Sequence, residues 1–383
     1  MFKIAIGHSD EVDEGRAIEE VIRECEAALQ GEKPQAGVLF AGIDFDHKRL
    51  LEKISEAYPG LLLTGCSSNA ELSPKYGVVE DSVLLTLFAS DQIEFSVGLG
   101  QGLSGDPKKV TQQAVDQAKA SLTGEPKLCF SHFDTLTSSG LGVPQGLNLA
   151  MGNQVPVLGG AAADQFQIEH TYQFFGDQVL EDSVVVLLLS GDLLFSYGVS
   201  SGRQTTGEKY LLGKIEGSRI YEIGGMRAVD FYHKYLGDVD QEITKFPLAI
   251  FEGSDENFFL RTPMSTYEDG SIGFVADIPN GSQARLTQSS RLEILEGAEQ
   301  AYKKALDAYP GKNPQMIKVT SCAGRKVALG TKVKEEFSIL SRASAGKLPI
   351  FGFYSFGEMC PLLPGDGSKL HNETIVVCLV GET

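Results

Sequence analysis

Three segments of this 383-residue chain arrange glycine, small and acidic residues in the same order: LLLTGCSSNAEL, VPVLGGAAADQF and LPIFGFYSFGEM. In each, an apolar run reaches a glycine (Gly65, Gly159, Gly352) and then an acid (Glu71, Asp164, Glu358). Farther on, an acid and a hydroxyl open an apolar strand: Asp81 and Ser82, Asp182 and Ser183, Glu373 and Thr374. Glycine at a turn exposes backbone groups to a ligand, and neighbouring hydroxyls and carboxylates supply donors and acceptors. Three such turns meeting in space predict one pocket, lined from the first two copies by Gly65, Cys66, Ser67, Gly159, Gly160 and Asp164.

The third copy adds Cys322, Arg325, Tyr354, Glu358, His371 and Asn372. Arg325 has the planar fork that clamps a carboxylate, and Glu358 would receive an amine. An Arg–Glu pair that merely holds a turn is the alternative. His371 and Asn372 either contact the ligand or satisfy backbone groups of the glycine turn, and Tyr354 either lines the pocket or caps the core.

Catalytic readings are weaker. Ser67 or Ser68 and Ser355 occupy comparable turns, but Ala162 fills the second copy, and the nearest downstream lysines, Lys75 and Lys369, stand at unequal spacing. Cys66 has no histidine close in sequence. Gly100, Gly102 and Gly105 form GxGxxG between a strand and a helix, yet the matching turns of the repeat lack these glycines. A haem needs an axial side chain in an apolar cleft, for which His132, His170 and His233 are the candidates, and without CxxCH attachment would be non-covalent. Six scattered cysteines without CxxC spacing argue against a zinc site and suit free, buried thiols.

The elements that must position these groups repeat as well. Strands read from FKIAIGHS, FSVGLGQG and SIGFVADI open three units, at roughly 1–92, 93–191 and 271–383. Ile18, Val21, Ile22, Cys25 and Leu29 fall on one helical face. Asp106 and Pro107 make an N-cap and first-turn pair, and Leu292, Leu295 and Ala298 mark the third unit's helix. GVLFAG, KLCFSHF and MIKVTSC read as strands buried on both faces, and HKRLLEKISEAYPG as a second helix stopped by Pro59 and Gly60. The unit is β-α-β-α-β-β, and residues 192–270 read as an insertion or degenerate fourth unit. The predicted fold is α/β and two-lobed, with mixed sheets covered by helices.

A formal charge of −18 argues against nucleic acid or an anionic membrane surface as partner. VVVLLL (184–189) is too short to span a bilayer, so no membrane insertion is expected. The first residues lack a signal-peptide pattern, which predicts a cytoplasmic protein.

SCAGRKVALG, EEF, PIFGFYSFGEMCP and LHNET resemble the C-terminal FIST domain, a bacterial sensory module. TGCSSNAEL, GGAAADQF, EDSVVVLLL and FSYGVSSGRQ resemble its N-terminal companion. The resemblance implies a FIST N-type domain over 1–220 and a C-type domain over 221–383. It further implies a stand-alone sensor that binds a small, amino-acid-like ligand and acts on a separate partner. Its alternatives are a haem-binding nitric oxide sensor regulating a histidine kinase or cyclic-di-GMP enzyme and, since the repeat order is similar to that of cyanuric acid hydrolases, a cyclic-amide hydrolase. Recognition without catalysis is the expectation. Ala161 to Ala163 and the Asn69–Ala70 pair depart from the usual family pattern and bear on which ligand fits.

Overall fold

The computed structural model describes residues 2–137, 142–238, 240–252 and 257–383. Strand β1 (Lys3–Ser9) is followed by α1 (Glu14–Leu29), whose N-cap Asp13 accepts from the Arg16 amide and whose buried face is Ala17, Ile18, Val21, Cys25 and Leu29. Then come β2 (Ala36–Ala41), α2 (His47–Ala57), β3 (Leu62–Ser67), the hairpin β4 (Glu71–Ser73) and β5 (Gly77–Val79), and β6 (Val83–Ala89). The second unit repeats this order: β7 (Ile93–Gln101), α3 (Pro107–Lys119), β8 (Leu128–Phe133), α4 (Gly142–Met151), β9 (Val157–Ala161), the hairpin β10 (Gln173–Phe175) and β11 (Gln178–Leu180), and β12 (Ser183–Gly191). Asp106 caps α3 with Pro107 in its first turn, as its sequence predicts.

The third unit corrects the sequence reading. Its first strand is β13 (Leu193–Ser200), which pairs antiparallel along its whole length with the last strand of the chain. SIGFVADI belongs to the inserted lobe, and the insertion starts after Ser200 instead of at residue 192. That lobe holds β14 (Gln204–Leu211), the short ribbons β15 (Ile215–Glu216) with β16 (Arg219–Ile220) and β17 (Glu222–Ile223) with β18 (Met226–Arg227), and α5 (Ala228–Leu236). It continues through β19 (Leu248–Phe251), β20 (Phe258–Arg261), β21 (Pro263–Thr266), β22 (Ile272–Phe274) and β23 (Gln283–Gln288). A core of Phe231, Tyr232, Leu248, Ile250 and Ile272 makes it a small lobe in its own right.

The chain returns through α6 (Arg291–Asp307), opened by a Ser290–Glu293 capping box. There follow β24 (Met316–Cys322), α7 (Ala323–Leu329), α8 (Val333–Ala343), β25 (Ile350–Ser355), the hairpin β26 (Glu358–Cys360) and β27 (Lys369–His371), and β28 (Ile375–Glu382).

Each unit builds four strands of a mixed sheet, in the orders β1-β6-β2-β3, β7-β12-β8-β9 and β13-β28-β24-β25. The hairpins, absent from the sequence reading, are exchanged cyclically. β4–β5 extends the third sheet, β10–β11 the first and β26–β27 the second, so each unit is locked to another by backbone pairing. Helices cover the outer faces. The inner faces meet in a shared core in which Phe40 stacks on Phe353 at 4.2 Å and His132 meets Phe40 edge-on at 5.2 Å.

The repeated glycines explain why the sheets close so tightly. Gly65, Gly159 and Gly352 lie inside β3, β9 and β25, where a Cβ would come within 1.9, 1.9 and 2.1 Å of the carbonyl oxygens of Leu39, Ser131 and Val319 on the adjacent parallel strand. They mark backbone approach within a sheet and are not turns. GxGxxG has a similar origin, since a Cβ on Gly100 would sit 2.2 Å from the Val110 carbonyl oxygen of α3.

Candidate functional site

The acid and hydroxyl signals of the repeat become two matching buried clusters. Ser68 and Ser82 donate to the two oxygens of Glu71. Ser355 and Thr374 donate to those of Glu358, each at 2.8 Å. Both carboxyls are completely buried, which pushes Glu71 up to about 7 and Glu358 up to about 8. The second unit lacks the cluster. Ala162 replaces the first hydroxyl, Ser183 donates to Gln173 at 2.9 Å, and Asp164 instead accepts the Glu169 amide at 2.8 Å within its own loop.

A cleft of about 950 Å3 opens where the third sheet's strand ends meet the inserted lobe. Its floor comes from Cys322 at the end of β24, Ser355 at the end of β25 and the Asn372–Glu373 turn before β28. Arg203, just past β13, reaches in and pairs with Glu373 at 2.9 Å, both side chains being almost wholly buried. In the same cleft the Arg203 Nε donor and the Asn372 Oδ1 acceptor are buried and have no hydrogen-bond partner among the described residues. Glu373 sits at φ 60°, a left-handed conformation uncommon for a non-glycine residue. The other walls are Leu136 after β8, Phe166 and Ile168 after β9, and Met264, Phe274 and Val275 of the inserted lobe.

Of the residues singled out by sequence, Cys322 and Asn372 line this cleft, as does Ser355 of the catalytic reading. Glu358 lies one hydrogen bond behind its floor, through Ser355. Asp164 anchors the loop that carries Phe166. Gly65, Cys66, Gly159 and Gly160 are buried in the central strands, and Ser67 Oγ accepts the Tyr172 amide at 3.0 Å. The expectation of one cavity walled by three glycine turns therefore gives way to a cleft at the end of one sheet, because parallel pairing uses the glycines internally. Arg325 is completely buried and pairs with Glu336 at 2.6 Å, not with Glu358, and Tyr354 donates to the same Glu336 at 2.7 Å. His371 Nε2 bonds the Cys360 carbonyl at 2.8 Å.

Arg203, Glu373 and Phe166 are among the cleft residues that escaped the sequence reading as site residues. Glu373 carried a signal, as the acid that recurs before each strand-opening hydroxyl. Arg203 carried none, because only the pairing of β13 with β28 brings residue 203 beside residue 373.

The haem candidates lie in three different settings. His132 is enclosed by Phe40 and Phe353 in the central core, where burial and then Lys318 hold its pKa well below the usual value. His170 is exposed beside Glu181, 3.5 Å away, and His233 is exposed on α5. None of the three lines the cleft. Among the described residues no cluster of histidine, cysteine and acid side chains could hold a metal ion. The Ser–Lys reading fares similarly: Lys75 bonds the His8 carbonyl, Glu20 and Glu24, and Lys369 pairs with Glu252. All six cysteines are free and buried. Burial, then Glu358 and Glu373, push the Cys322 thiol well up. No helix among the described residues is long and apolar enough to cross a membrane.

Three interlocked mixed sheets around one core, with an inserted lobe flanking a cleft at the strand ends of the third sheet, define an α/β protein. Residues 35–226 match the FIST N domain and residues 228–361 the FIST C domain, and the chain belongs to the FIST family, whose domains are sensor domains of signal transduction. It is 25% identical over 318 residues to an uncharacterised protein of Methanocaldococcus jannaschii, the match covering 75% of this chain and 59% of that protein. The chain thus spans less than two thirds of that relative's length. Among solved structures it is similar to cyanuric acid hydrolase from A. caulinodans, at a TM-score of 0.40 and 8% identity over 100% of this chain and 99% of that one. A second cyanuric acid hydrolase structure matches at a TM-score of 0.35 and 10% identity, with both chains covered completely.

Proposed function

We propose that this protein is a sensor that binds an amino-acid-like metabolite in the cleft between the third sheet and the inserted lobe, and thereby regulates a signalling partner such as a histidine kinase or cyclic-di-GMP enzyme. The observation that carries this reading is the pair of buried, unpartnered atoms in the cleft, Arg203 Nε and Asn372 Oδ1, flanking the Glu373 carboxylate. An unpaired buried polar atom costs about 1–3 kcal/mol, so a ligand that satisfies both gains selectivity over one that does not. A carboxylate oxygen accepts from Arg203, and an N–H of the same ligand donates to Asn372 Oδ1 with Glu373 beside it.

Recognition without bond breaking is supported by the state of the nucleophiles. Burial, then Glu358 and Glu373, push the Cys322 thiol well up and disfavour the nucleophilic thiolate. A ligand gripping both Arg203 and the inserted lobe favours whichever arrangement of the two brings them together, which shifts the conformer offered to a partner.

Isothermal titration and thermal-shift measurements with a panel of amino acids and their derivatives test the reading. The expected result is saturable stabilisation that Arg203→Gln and Asn372→Ala each weaken at least tenfold. Equal binding by both variants, or none by the wild type, would overturn it. A Soret band that shifts with nitric oxide would transfer the function to a haem sensor, and cyclic-amide turnover lost on replacing Ser67 and Ser355 would transfer it to an enzyme.

A further inference from the structure

The cleft is too large for a free amino acid. At about 950 Å3 it stands near the top of the roughly 300–1,000 Å3 range of pockets that take drug-sized ligands. One water claims about 30 Å3 of liquid, so the cleft corresponds to on the order of thirty waters, and an amino acid of roughly ten non-hydrogen atoms leaves most of it unfilled.

The remaining space is walled by apolar side chains that the described residues leave partly exposed. Phe166, Ile168, Met264, Val275 and Val327 are 47%, 54%, 53%, 40% and 62% exposed, and all five line this one cleft. Isolated exposed apolar residues are ordinary, whereas a group of them around one cavity marks a binding surface.

Phe166 and Ile168 are also held there against the preference of the backbone. Gln165, Phe166 and Ile168 adopt φ of 56°, 66° and 55°. The left-handed region is unfavourable for bulky residues and most of all for a β-branched one. The loop is kept in place by Asp164, which accepts from the Glu169 amide, by Gln165, which donates to Asp81 at 2.5 Å, and by the Phe166 ring against Phe356, with centroids 5.5 Å apart. Strain maintained by such fixings is characteristic of binding sites.

Resting on the reading above, we infer that the ligand is an amphipathic carboxylate: an amino-acid head on Arg203 and Asn372 bearing an apolar acyl substituent that lies along Phe166, Ile168 and the inserted-lobe residues Met264 and Val275. An N-acyl amino acid has the required parts. Its carboxylate accepts from Arg203, its amide N–H donates to Asn372 Oδ1, and its chain occupies the apolar wall. Phe166 and Ile168 then determine specificity without touching the head.

The test is titration calorimetry with N-acetyl-, N-hexanoyl- and N-octanoylglycine on the whole protein. Burying a methylene is worth up to about fourfold in affinity, so at least a tenfold gain from acetyl to hexanoyl is expected, rising further with octanoyl. Phe166→Asn, which suits a left-handed backbone and removes the ring, should abolish that gain with chain length. Affinity independent of chain length, with N-acetylglycine still bound through Arg203 and Asn372, overturns this inference and leaves the amino-acid reading standing. Absence of binding by the whole series and by free amino acids overturns both. A chain-length gain that survives Phe166→Asn refutes the assigned wall.

Discussion

Arg325 offers a sharp test of how the structure uses its charges. Its guanidinium is completely buried and donates through Nε and Nη2 to Glu336 Oε1 at 3.1 and 2.6 Å, through Nη1 to the Ser201 carbonyl at 2.7 Å and through Nη2 to the Ile294 carbonyl at 2.8 Å. The other Glu336 oxygen accepts from Ser321 and Tyr354, both at 2.7 Å. Removing either charge strands the other in the core, a loss of about 3–5 kcal/mol. Arg325→Met and Glu336→Leu are each expected near about 4 kcal/mol. The double variant holds no buried charge but loses the hydrogen bonds that two hydroxyls and two carbonyls make to the pair, at about 1 kcal/mol each, so it too loses about 4 kcal/mol instead of about 8. Urea unfolding of the four proteins, followed by fluorescence and circular dichroism, gives the coupling energy of the cycle, expected at about 4 kcal/mol. Additive losses, or single variants within about 1 kcal/mol of the parent, would refute the reasoning. Loss of ligand affinity in folded Arg325→Met would return Arg325 to the role of a ligand clamp.

Stability should peak near pH 6.5. Burial lowers His8 to about 3 and His371 to about 4, and holds His47 and His132 down as well, so the unfolded chain binds more protons below about 6.5 and stability rises with pH toward that value. Glu71 and Glu358, raised to about 7 and about 8, retain protons that the unfolded chain has released, so their contribution falls as pH rises from about 4.5 to 8. Four histidines outweigh two glutamates below 6.5; above it the glutamates lead, opposed as pH nears 8 by Lys318, which burial lowers to about 8. Melting temperatures across pH 5 to 8 check the peak, and Glu358→Gln should flatten the decline between 6.5 and 8. Gly352→Ala, whose Cβ meets the Val319 carbonyl at 2.1 Å, should lose about 3 kcal/mol or more in urea, whereas Gly105→Ala, with no atom closer than 3.5 Å, should change little. Iodoacetamide at pH 8 should label Cys322 slowly and Glu373→Gln should speed it, as read by peptide mass spectrometry, because part of the thiol's raised pKa comes from that carboxylate.

Much of the architecture is carried by local pattern. The spacing of Ile18, Val21, Cys25 and Leu29 gives the buried face of α1, and Asp106 with Pro107 opens α3, because capping and periodicity depend on neighbours in the chain. The recurrence of glycine, acid and hydroxyl was legible too, but that Ser82 bonds Glu71 and Thr374 bonds Glu358 is visible only in the structure. Sequence by itself therefore determined the repeat, the family and the acid that anchors each cluster. Tertiary structure alone decided that the glycines serve strand packing, that the hairpins are exchanged between units, and that β13 closes the third sheet across the insertion. It also decided that Arg325 answers Glu336 while Arg203 answers Glu373. These outcomes depend on pairing between strands far apart in the chain, and a one-dimensional pattern records which groups need partners but not which partners long-range pairing delivers.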